Sequence, residues 1–128
     1  MKLTRLGITL GLAVLATAAL AMPTFVKDFD TNYKLAKDSA LKKEGCAVCH
    51  IAKSIKLNAY GQDLKKIMAE LKTKKLTSDV FKKAEDLDSD KDEAKNIDEI
   101  KADTFPGDPK STPKKEGDKK QESTPAAA

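Results

Sequence analysis

Five consecutive residues, Cys46-Ala47-Val48-Cys49-His50, hold both cysteines and the single histidine of the 128-residue chain. That economy removes most metal chemistry at once. A structural zinc site needs a fourth protein ligand, and no other Cys or His exists to supply it. A redox Cys-x-x-Cys needs a βαβ frame, and no segment shows strand-like alternation. A plain Cys46–Cys49 disulfide leaves His50 without a role. In C-x-x-C-H, by contrast, the two thiols add across the vinyl groups of a haem and the next imidazole binds the iron from below. The spacing sets both sulfurs on one short helical turn, matched to the separation of the vinyls. Cys46 and Cys49 are therefore expected to tether one covalent haem c, with His50 as the proximal axial ligand.

The N-terminus agrees with that chemistry. Lys2 and Arg5 precede an uncharged run from Leu6 to Ala21 that ends in Ala19-Leu20-Ala21. A basic start, an apolar middle and a small-x-small end make a secretory signal peptide over residues 1–21, cleaved before Met22. Pro23 interrupts the run, and its apolar core is short for a membrane span. No Cys sits near the cleavage point to take a lipid. The expectation is an exported protein with no membrane attachment once the signal is gone.

Charge is spread unevenly. Residues 22–84 carry 14 basic and 7 acidic groups, whereas residues 85–103 carry 3 basic and 9 acidic groups. Nucleic acid is a poor partner for such a chain: it leaves the cytoplasm, has no Arg after the signal and lacks basic–aromatic interleaving. The basic stretch suits acidic redox partner proteins instead. The acidic block asks for a cation.

Helical periodicity fills the rest. Phe25, Phe29 and Tyr33 recur at i, i+4, i+8 within 24–44, with Val26 beside them. Asn58 is placed to cap a helix through Lys72, along which Leu64, Ile67, Met68 and Leu71 make one stripe. Thr77 is placed to cap a third helix to about Leu87, with Leu76 and Phe81 at the two ends of a hydrophobic staple. Aromatics are only 5% of the chain, so a haem would supply the large apolar body that a small core lacks. The two stripes are expected to wall its pocket. After Phe105 the chain is rich in Pro, Lys, Ser and Glu and nearly free of large apolar residues, the composition of a disordered tail.

The sixth iron position is less constrained. A second His is impossible. Met68 is the thioether candidate, although a Met in an apolar stripe often serves as filler and this one follows His50 by only 18 residues. Met22 or its free amine, a lysine, and an open position are the alternatives.

The acidic block has its own periodicity. From Asp88 to Glu99, acidic side chains fall at positions 1, 3 and 5 (Asp88, Asp90, Asp92), the Ala94 carbonyl at 7, Asn96 at 9 and Glu99 at 12. That is the ligand order of a twelve-residue calcium loop, with Glu99 able to bind through both oxygens. Two residues depart from the pattern. Glu93 stands where a Gly allows the sharp turn, and Lys95 replaces an apolar residue at position 8. Both should weaken the site or distort the turn.

Residues 25–72, with Gly45-Cys46-Ala47-Val48-Cys49-His50 and then Leu57-Asn58-Ala59-Tyr60-Gly61, resemble small exported monohaem c-type cytochromes. Residues 88–113 resemble the EF-hand-like calcium segments of exported bacterial proteins, here Asn96-Ile97-Asp98-Glu99-Ile100 followed by Thr104-Phe105-Pro106-Gly107-Asp108-Pro109-Lys110-Ser111-Thr112-Pro113. The resemblance implies an electron carrier in a Gram-negative periplasm, with calcium as a structural ion.

The expected organisation is all-α. A signal peptide (1–21) precedes a cytochrome c-like helical domain around one haem (22–87). An EF-hand-like calcium loop with its exit helix (88–103) and a disordered tail (104–128) follow. Its expected role is one-electron transfer by a monomer, not enzymatic turnover; a peroxidase would want a distal His to assist O–O cleavage. A haem-based sensor or calcium-dependent binding module with an open sixth iron position is the alternative.

Overall fold

Three of the helices stop at a residue with left-handed backbone, and none of the three is a glycine. The computed structural model describes residues 23–114. Its order is α1 (Pro23–Tyr33), α2 (Ala40–Lys43), a 3₁₀ turn (Gly45–Val48), α3 (Ala59–Glu70), α4 (Ser78–Glu85) and α5 (Asn96–Lys101). Lys34 (φ 50°), Lys72 (φ 51°) and Asp103 (φ 60°) follow the ends of α1, α3 and α5. Beyond each, an amide turns back to a carbonyl of the last turn: Leu35 to Asp30, Thr73 to Met68, Thr104 to Glu99. This is the Schellman closure, which satisfies carbonyls that a helix end leaves open. The helix expected through 24–44 is therefore split at Lys34, and α2 begins afresh at its N-cap Ser39, whose hydroxyl accepts the Lys42 amide.

The all-α expectation holds at the level of class: among the described residues there are five α-helices and no strand. A lone antiparallel bridge pairs His50 with Leu57. Asn58 caps α3 through its side chain, and Thr77 occupies the N-cap of α4 with extended backbone but no side-chain bond. α4 packs on both α3 and α5. The core between the helices is Phe29, Leu41, Val48, Tyr60, Leu64, Ile67, Leu76, Val80, Phe81, Ala84 and Ile100. Phe29, Tyr33 and Phe81 form its aromatic centre, with ring centroids 4.9–5.9 Å apart. Both staple residues, Leu76 and Phe81, are buried in it.

The segment assigned by composition to the tail folds back in its first part. Pro106 is fully buried and Phe105 packs against the core. The Phe105 amide donates to Ser111 Oγ at 2.9 Å, and the Ser111 amide returns to the Asp108 carbonyl. Upstream, Asp103 accepts bonds from Ser39 Oγ (2.6 Å) and from the Ala40 and Leu41 amides (2.7 and 3.2 Å). Burial opposes the charge on Asp103, yet these donors hold its carboxyl below the usual range. One buried proline and one aromatic are enough to order a segment whose average composition reads as polar. The expected signal peptide (1–21), Met22 and residues 115–128 lie outside the described residues.

Candidate functional site

Gly45–Val48 winds as a single 3₁₀ turn, closed by the Cys49 and His50 amides, which both donate to the Cys46 carbonyl (3.3 and 2.9 Å). Val48 is buried and anchors the turn, while Cys46 is exposed and Cys49 half-buried. Both are free thiols. Burial, with a smaller contribution from Cys46, pushes the Cys49 thiol up to about 12.

His50 has one nitrogen committed. Its Nδ1 lies 3.0 Å from the Ile55 carbonyl oxygen. A carbonyl only accepts, so Nδ1 carries the proton and Nε2 keeps the lone pair that a metal needs. The loop that carries Ile55 is fixed by the Ile51 amide to the Lys56 carbonyl and by the Asn58 amide to the Cys49 carbonyl. This loop presents bare apolar surface: Ile51, beside His50, is 51% exposed and Ile55 94%. Beside His50 lies an open cavity of about 480 Å³, lined by Glu44, Ala47, Ile51, Ala52, Asn58, Phe105, Gly107 and Asp108.

Asn58 holds this arrangement together from below. Its Oδ1 accepts the Gly61 amide at 2.9 Å, which caps α3. Its Nδ2 donates to the Ala47 and Val48 carbonyls at 3.1 and 3.0 Å, inside the C-x-x-C turn itself. One side chain therefore ties the start of α3 to the Cys46–His50 segment. Sequence reasoning found the cap and missed the second bond set. The proximity of Asn58 to the motif in the chain was the available signal.

Apart from Leu71, the residues expected as pocket walls form the interhelical core or pack on it. Phe29, Leu64 and Ile67 are buried in the interhelical core, Phe25, Tyr33 and Met68 pack against it, and Leu71 is exposed. None of these lines the cavity at His50. The space beside His50 is bordered by residues 44–58 and 105–108, and neither Cys46 nor Cys49 lines it; Cys49 packs against the interhelical core that the stripes form. Met68, one of the sixth-ligand candidates, packs against the same core as Cys49 and does not line that cavity.

Three of the six calcium-loop residues converge. Ligand-type oxygens of Asp88, Asp90 and Asp92 lie within 4.8 Å of one another. The backbone wraps them: Asp88 accepts the Lys91 and Glu93 amides (2.8 and 3.0 Å), Asp90 accepts Asp92, and Asp92 accepts Ala94. The turn requires left-handed backbone at Lys91 (φ 66°) and Glu93 (φ 74°). Glu99 enters from α5 with 0% exposure, and neither of its carboxylate oxygens has a partner. Asp90 Oδ2 and Asp92 Oδ2 are equally orphaned. Burial, then Asp90, Asp92 and Asp88 in turn, push the Glu99 carboxyl up to about 9. Burial and its acidic neighbours raise Asp90 as well.

Asn96, the expected ninth-position ligand, is held within the protein. Its Nδ2 donates to the Ala84 carbonyl (2.8 Å) and Ser89 Oγ (2.9 Å), while its Oδ1 accepts the Ser89 amide (3.2 Å). The amide of Ala94, the seventh-position residue, donates to Asp92 Oδ1. Lys95 swings out to pair with Asp86 at 2.9 Å.

Each donor set suits the group read from the sequence. Two free thiols and an imidazole with a bare Nε2 sit on one turn beside uncovered isoleucines, which fits haem. Three carboxylates with unpaired buried oxygens, Asp90, Asp92 and Glu99, fit a hard divalent cation, because buried like charges without a counter-ion are costly. No family model, curated protein or solved structure matches the chain.

Proposed function

We propose that the protein is an exported one-electron carrier with a single haem covalently held by Cys46 and Cys49, and with calcium in the 88–99 loop as a structural ion. The observation that carries this reading is His50. Its Nδ1–H is fixed on the Ile55 carbonyl, so the ring presents Nε2 from the same turn that bears the two thiols. Bound there, haem supplies iron that exchanges between Fe(III) and Fe(II) without bond-making in a substrate. The chain does the rest. His50 is oriented by Ile55, Ile51 and Ile55 offer apolar cover, and Asn58 keeps the turn from spreading. Exposed Lys43, Lys53 and Lys56 flank the motif and would steer acidic partner proteins.

Export to a Gram-negative periplasm is part of the same proposal, supported by the 1–21 signal pattern. Among the described residues no helix is long and apolar enough to cross a membrane. A second reading, a haem-based sensor with an open sixth position, draws on Met68. Its side chain packs against the core and not beside His50.

Acid–acetone extraction tests attachment. Haem should stay with the wild-type protein and be lost from Cys46→Ala/Cys49→Ala; full retention by the double variant would sink the proposal. Carbon monoxide then separates the two readings. A reduced protein that resists it supports the carrier, and rapid binding promotes the sensor.

A further inference from the structure

Asn96 stands where the loop pattern wants a ligand, and the structure gives its side chain other partners. It is fully buried. Its Nδ2 donates to the Ala84 carbonyl at 2.8 Å, in the last turn of α4, and to Ser89 Oγ at 2.9 Å. Its Oδ1 accepts the Ser89 amide at 3.2 Å, and its own backbone amide donates to the Leu87 carbonyl at 2.8 Å. These bonds close the entry of the loop onto the first residue of its exit helix. None of them involves Asp88, Asp90 or Asp92.

The consequence reaches Glu99. Its amide donates to the Lys95 carbonyl at 3.1 Å, in the helical turn that Asn96 begins. Ile100, next along α5, is buried in the core, and α5 packs on α4. The Glu99 carboxylate is thereby fully buried with neither oxygen partnered, and Asp90, Asp92 and Asp88 are the charges that act on it. Burial beside like charges opposes that position. Packing and the Asn96 bonds set it instead.

We propose that Asn96 is the positioning residue of the calcium loop: it latches the loop shut before a cation arrives and so presents Glu99 already buried. The inference rests on the calcium reading above and adds that the site is preformed. In calcium sensors the exit helix swings when the ion binds and uncovers an apolar groove. Here the exit helix is already docked, so calcium has only charge to neutralise. The loop is a fixed clamp between α4 and α5, which speaks against a calcium-dependent binding module. Ligation by Asn96 would undo the latch. An Oδ1 drawn to the ion releases the Ser89 amide, and an Nδ2 that follows leaves the buried Ala84 carbonyl without its donor.

The test uses the haem-loaded full chain, with calcium binding read by calorimetry and amide hydrogen exchange read at Ser89 and at residues 99–102. In the wild type these amides should exchange slowly in chelator and change little when calcium is added. Asn96→Ala removes the three side-chain bonds. If it leaves the closed loop about one-tenth populated, calcium binds about tenfold more weakly, and its arrival now slows exchange at 99–102. A residue that only stabilised the fold would lower the melting temperature without making exchange there depend on calcium. Ser89→Ala changes a loop position that supplies no ligand and removes one acceptor of Nδ2. It should move both readouts the same way by less, and it decides the matter if Asn96→Ala folds poorly. Asn96→Asp offers a stronger ligand oxygen but no donor for Ala84, and should weaken calcium too. Binding as tight as wild type in Asn96→Asp would make Asn96 a ligand and overturn the latch. So would wild-type affinity in both alanine variants, or wild-type exchange at 99–102 that is fast in chelator and slowed by calcium. No calorimetric signal from the wild type at millimolar calcium would instead overturn the calcium reading itself, and the latch with it.

Discussion

Gly61, in the first turn of α3, lies against the Cys49 carbonyl so closely that no Cβ fits between them. The Cys49 carbon and a Leu57 methyl would stand 3.0 and 3.1 Å from such an atom, so the obstruction is mostly backbone. Alanine is the better helix former by about 1 kcal/mol. Here that gain is outweighed, because the backbone of the C-x-x-C-H segment would have to shift. Gly61→Ala should destabilise the protein by about 3 kcal/mol, the upper end for overpacking, and lower the yield of attached haem. Denaturant unfolding measures the first effect; an unchanged midpoint would show that α3 moves freely under the motif.

Asn58 offers a sharper separation of roles. Asn58→Ala removes the α3 cap and leaves the Ala47 and Val48 carbonyls without their donor. A lost cap costs about 1 kcal/mol, and buried unsatisfied groups add roughly 1–3 kcal/mol. Asn58→Asp keeps an acceptor for the Gly61 amide but turns a carboxylate toward two carbonyl oxygens. Both variants should therefore unfold at lower denaturant. Rescue by Asp would mean that only the cap matters.

What the sequence revealed, and what it hid, follows from how local each signal is. The C-x-x-C-H motif, the Asn58 cap and the Leu76/Phe81 pair are set by neighbours a few residues apart, and the structure places each where local chemistry puts it. The clustering of Asp88, Asp90 and Asp92 was equally legible, because their alternate spacing in one loop encodes it. The break at Lys34 was not: helix ends are announced by Gly or Pro, and neither is present. Nor were the Asp103–Ser39 bond, between residues 64 apart, or the return of Phe105–Asp108 to the motif. Long-range placement of one aromatic leaves no periodicity to read. Asn96 fits the ligand pattern by position, yet buried backbone at Ala84 and Ser89 claims its amide first.

Lys72 tests the energetic side of the unannounced helix ends. It is exposed, holds φ at 51° and closes α3 through Thr73 and Met68. A left-handed L-residue costs about 1–2 kcal/mol, which glycine avoids, while glycine's freedom in the unfolded chain takes back part of that gain. Lys72→Gly should stabilise by about 0.5–1 kcal/mol with spectra unchanged. A destabilised variant would mean that the Lys side chain contributes more than its backbone costs.

The calcium-free protein should lose stability as pH rises. Glu99 titrates near 4.5 when unfolded and about 9 when folded without a cation. Between those values the native state binds the extra proton, so stability is full below the lower value and declines through the higher one. Calcium takes the proton's place, releases it, and should bind more tightly as pH increases over the same window. Thermal melts in chelator and in calcium, from about pH 5 to about pH 9, read the divergence directly. Parallel curves would show that Glu99 faces no cation.

Glu93 decides how strong the loop can be. Its φ of 74° and its amide bond to Asp88 Oδ2 are what the turn demands, whereas an L-residue resists that backbone. The loop also lacks a partner, and extracellular modules of this type bind at about 10⁻⁴–10⁻³ M. Free calcium at about 100 times Kd should add roughly 2.7 kcal/mol to wild-type stability. Glu93→Gly relaxes the turn in the bound form by about 1 kcal/mol, equivalent to roughly fivefold tighter binding. Glu99→Gln should abolish the calcium response, since it neutralises the only buried carboxylate of α5 that faces the aspartates. Melting temperatures of the three proteins across a calcium titration settle the order. If the wild type gains nothing at millimolar calcium and loses nothing in chelator, residues 88–99 are an acidic loop without an ion.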